Sequence, residues 1–516
     1  MDSHTGFHSL REETAASLPV RGDLPAWLRG SLIRNGPGAF SFPDGSDVDH
    51  WFDGLAMLSR FTFDPGDAAG SVTGGDGDAV HYRNRFLRSD AYEAATSGEF
   101  EGGFATGETT LRSRLSTFLA EPYDNANIVA ERIGGEYVAL TESPRGVGFD
   151  PNTLETTGHV DRDGDAPSGQ LSCAHFKRDP ATGALVTVDT EFGRASRYHV
   201  TAWTPEGDRR HVGSVDTDRP AYMHSFALTP RYVVLTEFPL RLDPRRFLKP
   251  GRQPPFIEQF EWEPERGTRI VVLDRTTSDV VAEPTAAPFF GFHHVNAFER
   301  KGGAEIVFDL ETIPDATAID SLYLENVRAG EMGAMAGRID RFIVDLGTTT
   351  GTGRYGGDGD GEGGDADDAD GANEPADSDA TVSRETLYDD GSALPTASPA
   401  RWCREHRYVY AMGMDTPVTE WARRVVKLDA EAGTVRTFDD GGDYFGEPIF
   451  VPAPDGERED DGVVLTVALA VDAERSRLLV LDGETFAERA RATLPHALPF
   501  DFHGRYFPEL RAASGG

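Results

Sequence analysis

The sequence predicts an all-β protein, because strand-like segments dominate it and helical periodicity is scarce. Runs rich in β-branched and aromatic residues, bounded by Gly, Pro and Asp, recur along the chain. They include residues 231–238, 268–274, 407–411, 463–468 and 477–482. Turn signatures that begin with Asp also recur, at 150, 179, 274, 429 and 472. Hairpins in series are typical of a sandwich, a barrel or a propeller, and a chain of 516 residues favours a propeller.

The composition indicates a folded and strongly acidic protein. Hydrophobic residues make up 38% and aromatic residues 10% of the chain, which is enough for a core. The formal net charge is −37, so the surface repels phosphate backbones and nucleic-acid binding is disfavoured. We interpret the acidic excess as an adaptation to a salt-rich cytoplasm, where screening shortens charge repulsion.

The cysteine content and the apolar segments bear on the cellular compartment. Two cysteines, Cys173 and Cys403, argue against a disulfide scaffold and favour a reducing compartment. The first residues lack the basic and apolar regions of a secretory signal. The longest apolar stretch, residues 463–471, is too short to span a bilayer. The sequence therefore predicts a cytoplasmic protein that at most rests on a membrane surface.

Residues 351–380 form an acidic, Gly/Asp-rich tract of low complexity. We interpret it as a solvated insertion within a single domain that covers residues 1–516. Calcium binding is a weaker alternative, because the ligand register of an EF-hand is broken. A dinucleotide fingerprint at 351–356 lacks the helix that such a site requires.

Histidine carries the chemical information in this chain. Four of the fourteen histidines lie in apolar or turn-flanked segments, at His175, His224, His293 and His503. Taken singly, each is more typical of a buried structural histidine than of a metal ligand. Imidazole nitrogens nevertheless suit iron, zinc or copper, whereas the usual hydrolase and kinase motifs are missing. A Cys-x-His site with Cys173 is conceivable, but a buried filler is the favoured role of that thiol.

An ordered set of motifs resembles the carotenoid cleavage oxygenases, and most of all the branch with the animal β-carotene oxygenases and the visual-cycle retinoid isomerase. The matching segments are residues 32–37, 50–54, 139–142, 174–180, 224–229, 292–299, 446–452 and 502–504. The resemblance implies a seven-bladed propeller with a loop and helix cap over an axial metal site. It also implies that Fe2+ is the cofactor, bound by His175, His224, His293 and His503.

The resemblance further implies carboxylates that orient the metal-binding histidines. Glu142 and Glu447 match two of them and would accept the outward N–H groups of the histidine rings. His294 is excluded as a ligand, because neighbouring strand residues face opposite ways. The family places a third carboxylate in a Glu-Leu-Pro-like segment, where this chain has Ala393. We therefore expect weaker iron retention, unless Asp389, Asp390 or an ordered water fills the gap.

The activity that the resemblance implies is an Fe2+-dependent dioxygenase reaction. The enzyme would cleave a conjugated double bond of a carotenoid or apocarotenoid to aldehydes, with β-carotene to retinal as the leading case. A retinoid isomerase, a stilbene-type alkene dioxygenase and a non-catalytic propeller scaffold remain alternatives. Candidates for an aromatic substrate tunnel, each of which could equally be core, are Trp203, Tyr222, Phe226, Phe290 and Phe502.

A polyene substrate resides in membranes, so a membrane-docking surface is expected. A basic and apolar segment in this acidic chain provides a candidate. Its residues are Arg241, Arg245, Arg246, Phe247, Leu248 and Lys249. A second candidate is a helix with Leu111, Leu115 and Leu119 on one face. Ordinary surface arginines and a core-facing helix are the alternative interpretation.

Overall fold

A computed structural model describes residues 3–65, 79–100, 102–108, 124–160, 164–347 and 380–512. Residues 351–379 and the predicted helix with Leu111, Leu115 and Leu119 lie outside this range. The α-helices within it are short, at Asp90–Ser97, Thr317–Asp320 and Leu324–Ala329. The 3-10 helices are Ser3–Phe7, Trp51–Asp53, Pro244–Leu248, Ile257–Gln259, Pro264–Arg266, Lys301–Gly303, Pro399–Arg401 and Val471–Ala473. The prediction of an all-β protein is therefore confirmed.

The described strands form sheets of consecutive antiparallel strands. A four-stranded sheet contains Val129–Ile133, Glu136–Leu140, Gly146–Phe149 and Thr156–Val160. A five-stranded sheet contains Leu171–Ser172, Lys177–Arg178, Leu185–Glu191, Ser196–Trp203 and Arg209–Thr217. A second five-stranded sheet contains Ala227–Leu228, Tyr232–Glu237, Thr268–Asp274, Val280–Ala282 and Thr285–Ala286. Leu240–Leu242 and Phe260–Trp262 form a separate two-stranded ribbon.

Two larger sheets complete the described part of the fold. A seven-stranded sheet contains His294–Arg300, Glu305–Thr312, Gly337–Asp345, Thr381–Ala397, Tyr408–Gly413, Arg424–Asp429 and Thr434–Phe438. A ten-stranded sheet contains Ala15–Gly22, Ser31–Ala39, Leu55–Asp64, Ala79–Phe86, Tyr444–Phe445, Ile449–Pro452, Gly462–Ala470, Arg475–Asp482, Glu488–Thr493 and His503–Phe507.

The ten-stranded sheet joins the two ends of the chain. Ala15–Gly22 pairs with Glu488–Thr493, with Val20 opposite Ala492. The last strand, His503–Phe507, pairs with Ser31–Ala39, with His503 opposite Asn35. The second pairing places the start of the last strand beside the fully buried strand Ser31–Ala39.

Burial differs between the inner and outer strands of the sheets. Ser31–Ala39 is buried at every position, whereas Thr434–Phe438 and the middle of Thr156–Val160 are exposed. A strand that is buried on both faces must be covered by neighbouring sheets. The buried strands therefore mark the centre of the molecule, where the candidate site lies. In the part of the chain that the structure describes, no helix is long and apolar enough to cross a membrane.

Candidate metal centre

Four edge strands carry the four predicted histidines to one place. His175 precedes Lys177–Arg178, His224 precedes Ala227–Leu228, His293 precedes His294–Arg300, and His503 begins His503–Phe507. Each of these strands lies at an edge of its sheet. Because each histidine enters at the start of an edge strand, residues from distant parts of the sequence can meet at the centre of the fold.

The four imidazole rings are close enough to share one ion. One nitrogen from each of the four histidines lies within 4.8 Å of the others. The Nε2 atoms of His175 and His224 are 2.9 Å apart. Two nitrogens bonded to one ion at about 2.1 Å, at right angles, are about 3 Å apart. The spacing therefore fits two adjacent ligands of a single metal ion.

Two of the rings are oriented by the carboxylates that the resemblance implies. Nδ1–H of His224 donates to Oε1 of Glu142 at 2.5 Å, and Nδ1–H of His503 donates to Oε1 of Glu447 at 2.8 Å. With the proton held on Nδ1, the Nε2 lone pair is free to bind a metal. The hydroxyl of Tyr222 also donates to Oε1 of Glu142, at 2.8 Å.

A third carboxylate, that of Glu311, bonds His293 and was not predicted from the sequence. Nδ1–H of His293 donates to Oε2 of Glu311 at 2.8 Å. This contact corrects the expectation that Ala393 leaves a histidine without a partner. Asp389 and Asp390 are exposed and do not fill that position. Burial raises the pKa of Glu311 to about 8.

The chemistry of the donor set fits a divalent transition metal. Nε2 of His293 is buried and has no hydrogen-bond partner within the described residues. Burial, with the neighbouring histidines, holds the pKa of His175 and of His293 well below the ordinary value. Neutral imidazoles are the form that binds metal, and this set of nitrogen donors suits iron. His294 instead bonds the hydroxyls of Ser225 and Thr236, as expected for a residue that faces away.

Aromatic rings form a contiguous cluster beside the histidines. This aromatic cluster consists of Phe52, Phe104, Tyr222, Phe290, Phe292 and Phe502. Phe292 meets the ring of His224 edge-on at 5.5 Å between centroids, and Phe52 links Phe292 to Phe502 at 6.1 and 5.6 Å. Tyr222 contacts Phe104 and Phe290 at 5.9 and 6.1 Å. The cluster provides an apolar wall next to the metal-binding nitrogens.

Three of the five tunnel candidates belong to this cluster, namely Tyr222, Phe290 and Phe502. Phe52, Phe104 and Phe292 were not among the tunnel candidates, although Phe52 and Phe292 lie in the matching segments 50–54 and 292–299. Trp203 packs in a separate hydrophobic cluster with Ile133 and Leu185, which corrects its assignment. Phe226 also lies outside the aromatic cluster and packs in a hydrophobic cluster with Cys173, but it lines a cavity that reaches the metal-binding histidines.

That cavity has a volume of about 730 Å³ and is lined by both apolar and polar residues. His175, His293 and His503 line it, together with Lys177 and Arg505. Nζ of Lys177 donates to the carbonyl oxygen of His294 at 2.8 Å, and burial lowers the pKa of this amine to about 8. The histidines therefore border both the aromatic cluster and a cavity that Lys177 and Arg505 also line.

The predicted membrane-docking segment is only partly exposed. Arg241 and Phe247 are buried, with 3% and 6% exposure, so their assignment was wrong. Arg241 lies inside because its guanidinium pairs with Glu237 at 2.9 Å. Arg245 pairs with Asp243 and Arg246 with Glu261, so the basic charge of the segment is largely compensated. Leu248 and Lys249 are exposed.

Comparison with known proteins identifies the family. The model of the family described as retinal pigment epithelial membrane protein matches residues 7–508. The chain belongs to the carotenoid cleavage oxygenase family. Membership in this family confirms the prediction that the chain is an enzyme, an oxidoreductase of the dioxygenase class.

Curated members of the carotenoid cleavage oxygenase family resemble the chain over nearly its whole length. A mitochondrial carotenoid-cleaving dioxygenase of Mustela putorius furo is 30% identical, with 96% of this chain and 94% of the relative covered. A chloroplastic carotenoid cleavage dioxygenase 8 homolog A of Oryza sativa subsp. japonica is also 30% identical, over 97% of this chain and 87% of the relative. The human beta,beta-carotene 15,15'-dioxygenase is 29% identical, with 99% and 95% covered.

Solved structures of the carotenoid oxygenases share the fold. A cobalt-substituted apocarotenoid oxygenase of Synechocystis superposes with a TM-score of 0.79, at 24% identity and with 98% of each chain covered. A Glu150Asp mutant of that oxygenase gives a TM-score of 0.77, at 24% identity and with the same coverage. These matches confirm the propeller class of fold.

Proposed function

We propose that the chain is an Fe2+-dependent dioxygenase that cleaves a conjugated double bond of a carotenoid or apocarotenoid to two aldehydes. The reaction to test first is β-carotene to retinal. The observation that carries the proposal is the convergence of His175, His224, His293 and His503 within 4.8 Å. The names of the similar proteins, carotenoid-cleaving dioxygenases, support the same class of substrate.

Each group of residues has a separate task in this proposal. The four imidazoles would hold a ferrous ion, which supplies the activation of dioxygen when bound. Glu142, Glu311 and Glu447 keep Nδ1 of their histidines protonated, and so keep Nε2 available. A polyene has no acidic proton and no polar bond to be attacked, so a general base or a nucleophile is unnecessary. The aromatic cluster provides dry apolar surface against which a polyene can lie.

We further propose seven blades in a single domain that covers residues 1–516. The division of the two large sheets supports this count. Thr381–Ala397 pairs through its first part with Gly337–Asp345 and through its second part with Tyr408–Gly413. It would thus belong to two blades. The seven-stranded sheet would thus supply two blades, and the ten-stranded sheet, which contains strands from both ends of the chain, would supply two more. The four-stranded sheet and the two five-stranded sheets would supply one blade each, which gives seven.

The decisive experiment is anaerobic loading with Fe2+ followed by incubation with β-carotene and ¹⁸O-labelled dioxygen. Products are reduced at once to alcohols, to prevent exchange of the carbonyl oxygen, and analysed by mass. We expect retinal-derived products that carry the label. In parallel incubations, an isomerised alcohol without label from a retinyl ester would indicate the isomerase alternative. Cleavage of a stilbene alone would indicate the stilbene-type alternative. The control His503→Ala should neither retain iron nor form aldehydes.

We also propose peripheral contact with a membrane through the turn Pro244–Leu248. Leu248 is 68% exposed, the largest value among the large hydrophobic residues that the structure describes. Co-sedimentation with vesicles of anionic lipid tests this contact. Leu248→Ser should reduce the bound fraction, whereas Val435→Ser, which removes another exposed apolar side chain (40% exposed), should leave it unchanged. Equal binding of both variants and the wild type would overturn the contact.

A further inference from the structure

The carboxylate behind His293 comes from an unexpected strand. The segment that resembles the family's third carboxylate site carries Ala393, in the strand Thr381–Ala397. Glu311, which bonds His293, lies in Glu305–Thr312. These two strands are separated by one intervening strand of the same sheet, Gly337–Asp345. The chain thus has a buried carboxylate two strands away from the position where the sequence predicts one.

Gly337, at the start of the intervening strand, allows the Glu311 side chain to pass. A Cβ atom at position 337 would lie 2.8 Å from Cγ of Glu311 and 3.0 Å from the carbonyl oxygen of Thr312. The first distance is shorter than real Cβ contacts, and the second is tighter than most of them. Gly337 is also paired with Ser392, the residue next to Ala393. The side chain of Glu311 therefore passes over Gly337, which pairs with the residue next to Ala393.

The side chains around this path are consistent with one carboxylate and not two. Ala393 is 7% exposed and packs in a hydrophobic cluster that also contains Phe502. Within the described ranges, no Lys or Arg forms an ion pair with Glu311. A second carboxylate here would bury another acidic group without a cation to compensate it, which is unfavourable.

We propose that Glu311 takes the place of the carboxylate missing at Ala393, and that Gly337 gives it the room to do so. Glu311 is thereby the positioning residue of His293, and positions 311, 337 and 393 form one compensating set. The proposal rests on the metal site of the proposed function. It predicts that the carboxylate can be moved back from 311 to 393.

The test is the affinity for Co2+, measured by competition with a chelator in Glu311→Ala, Ala393→Glu and the double variant. Loss of a carboxylate behind a metal-binding histidine typically lowers affinity about 10- to 100-fold, and we expect this for Glu311→Ala. Ala393→Glu alone should bind no tighter than the wild type. The double variant should recover most of the lost affinity and the visible spectrum of the wild-type cobalt site.

A matched control separates positioning from general damage. Glu299→Ala removes another carboxylate from the same hairpin. Glu299 accepts a hydrogen bond from the hydroxyl of Thr229 at 2.7 Å and contacts no metal-binding histidine. It should bind Co2+ like the wild type. Glu311→Gln keeps the volume and an acceptor oxygen, so it should lose less affinity than Glu311→Ala even if the alanine variant folds poorly.

Two results would overturn the inference. One is wild-type Co2+ affinity in Glu311→Ala, and the other is a folded double variant that binds as weakly as Glu311→Ala. Both are distinct from failure of the proposed function, because that failure would show as a wild-type protein that binds no metal at all.

Discussion

The carboxylates behind His503 and His293 make the same contact in opposite surroundings. Oε2 of Glu447 accepts from the guanidinium of Arg34 at 3.1 Å and from the backbone N–H of Gly504 at 2.7 Å. Arg34 is 1% exposed and also bonds Asp501. Within the described residues, Glu311 has only the ring of His293 as an ion-pair partner.

Glu447 is therefore held in place by groups other than its histidine, whereas Glu311 depends on His293. Glu447 has its own cation, Arg34, so it can hold His503 whether or not a metal is bound. Glu311 has no cation beside it among the described residues, and burial raises its pKa to about 8, which favours its neutral form in the metal-free protein. The two sides of the site should therefore respond differently to the same substitution.

Removal of the Arg34 guanidinium should produce the largest effect on the free energy of unfolding. Arg34→Met leaves the buried Glu447 and the half-buried Asp501 without their shared partner. Breaking a buried ion pair in this way typically costs about 3–5 kcal/mol in the free energy of unfolding, measured by urea denaturation. Arg245→Met is the control, because that side chain is 85% exposed and should change stability by less than about 0.5 kcal/mol. Equal effects would mean that the Arg34 network contributes nothing.

A buried histidine outside the metal site gives the next largest effect, through pH. Burial lowers the pKa of His50 to about 4 from 6.5. Its Nε2–H donates to Ile319 and its Nδ1 accepts from Phe52, so both nitrogens are used in the neutral form. Between pH 6.5 and 4 the unfolded chain binds the proton more readily than the folded one. Stability is therefore present above pH 6.5 and is lost as pH falls towards 4.

The amount lost corresponds to roughly 3 kcal/mol, since one pKa unit is about 1.4 kcal/mol. His50→Gln cannot take up this proton. Denaturation at a series of pH values should show a flatter decline for the variant than for the wild type across this window. Parallel curves would contradict the role of His50.

The opposite surroundings of the two carboxylates predict unequal effects of Glu→Gln in the metal-free protein. Glu447→Gln weakens a charged hydrogen bond to Arg34 and should cost about 2 kcal/mol. Glu311→Gln should cost less than about 1 kcal/mol, because it removes a charge that burial already disfavours. Urea denaturation of both variants without metal measures the difference. A larger loss for Glu311→Gln would reverse the comparison.

The sequence predicted the four histidines and Glu142 and Glu447, because each lies in a local motif that can be read without the register of the sheet. Glu311 could not be found that way. Uninterrupted pairing from Arg300 and Glu305 would set His293 opposite Thr312. A bulge between His294 and Asn296 shifts the register by one residue. Such a slip changes which side chains share a face, and it sets Glu311 beside His293.

The errors in the docking segment have a similar origin. Arg241 and Phe247 lie in a segment that is basic and apolar in composition, but composition does not reveal which charges are paired. The guanidinium of Arg241 lies in the interior because it pairs with Glu237, four residues earlier. Contacts between residues distant in sequence also determine which aromatic side chains belong to the aromatic cluster. Trp203 does not belong to it, because it packs with Ile133 and Leu185.

A further small effect is predicted for Glu142, the carboxylate behind His224, which accepts from a neutral hydroxyl and not from a cation. The hydroxyl of Tyr222 donates to it at 2.8 Å, so Tyr222→Phe should cost about 1 kcal/mol in the free energy of unfolding. Tyr232→Phe is the matched control, because its buried hydroxyl is 3.5 Å from the carbonyl oxygen of Gly303 and should contribute less. If the two variants were equally stable, the hydroxyl of Tyr222 would not support Glu142. Glu142 would then resemble Glu311, which relies on its histidine, more closely than Glu447, which has Arg34.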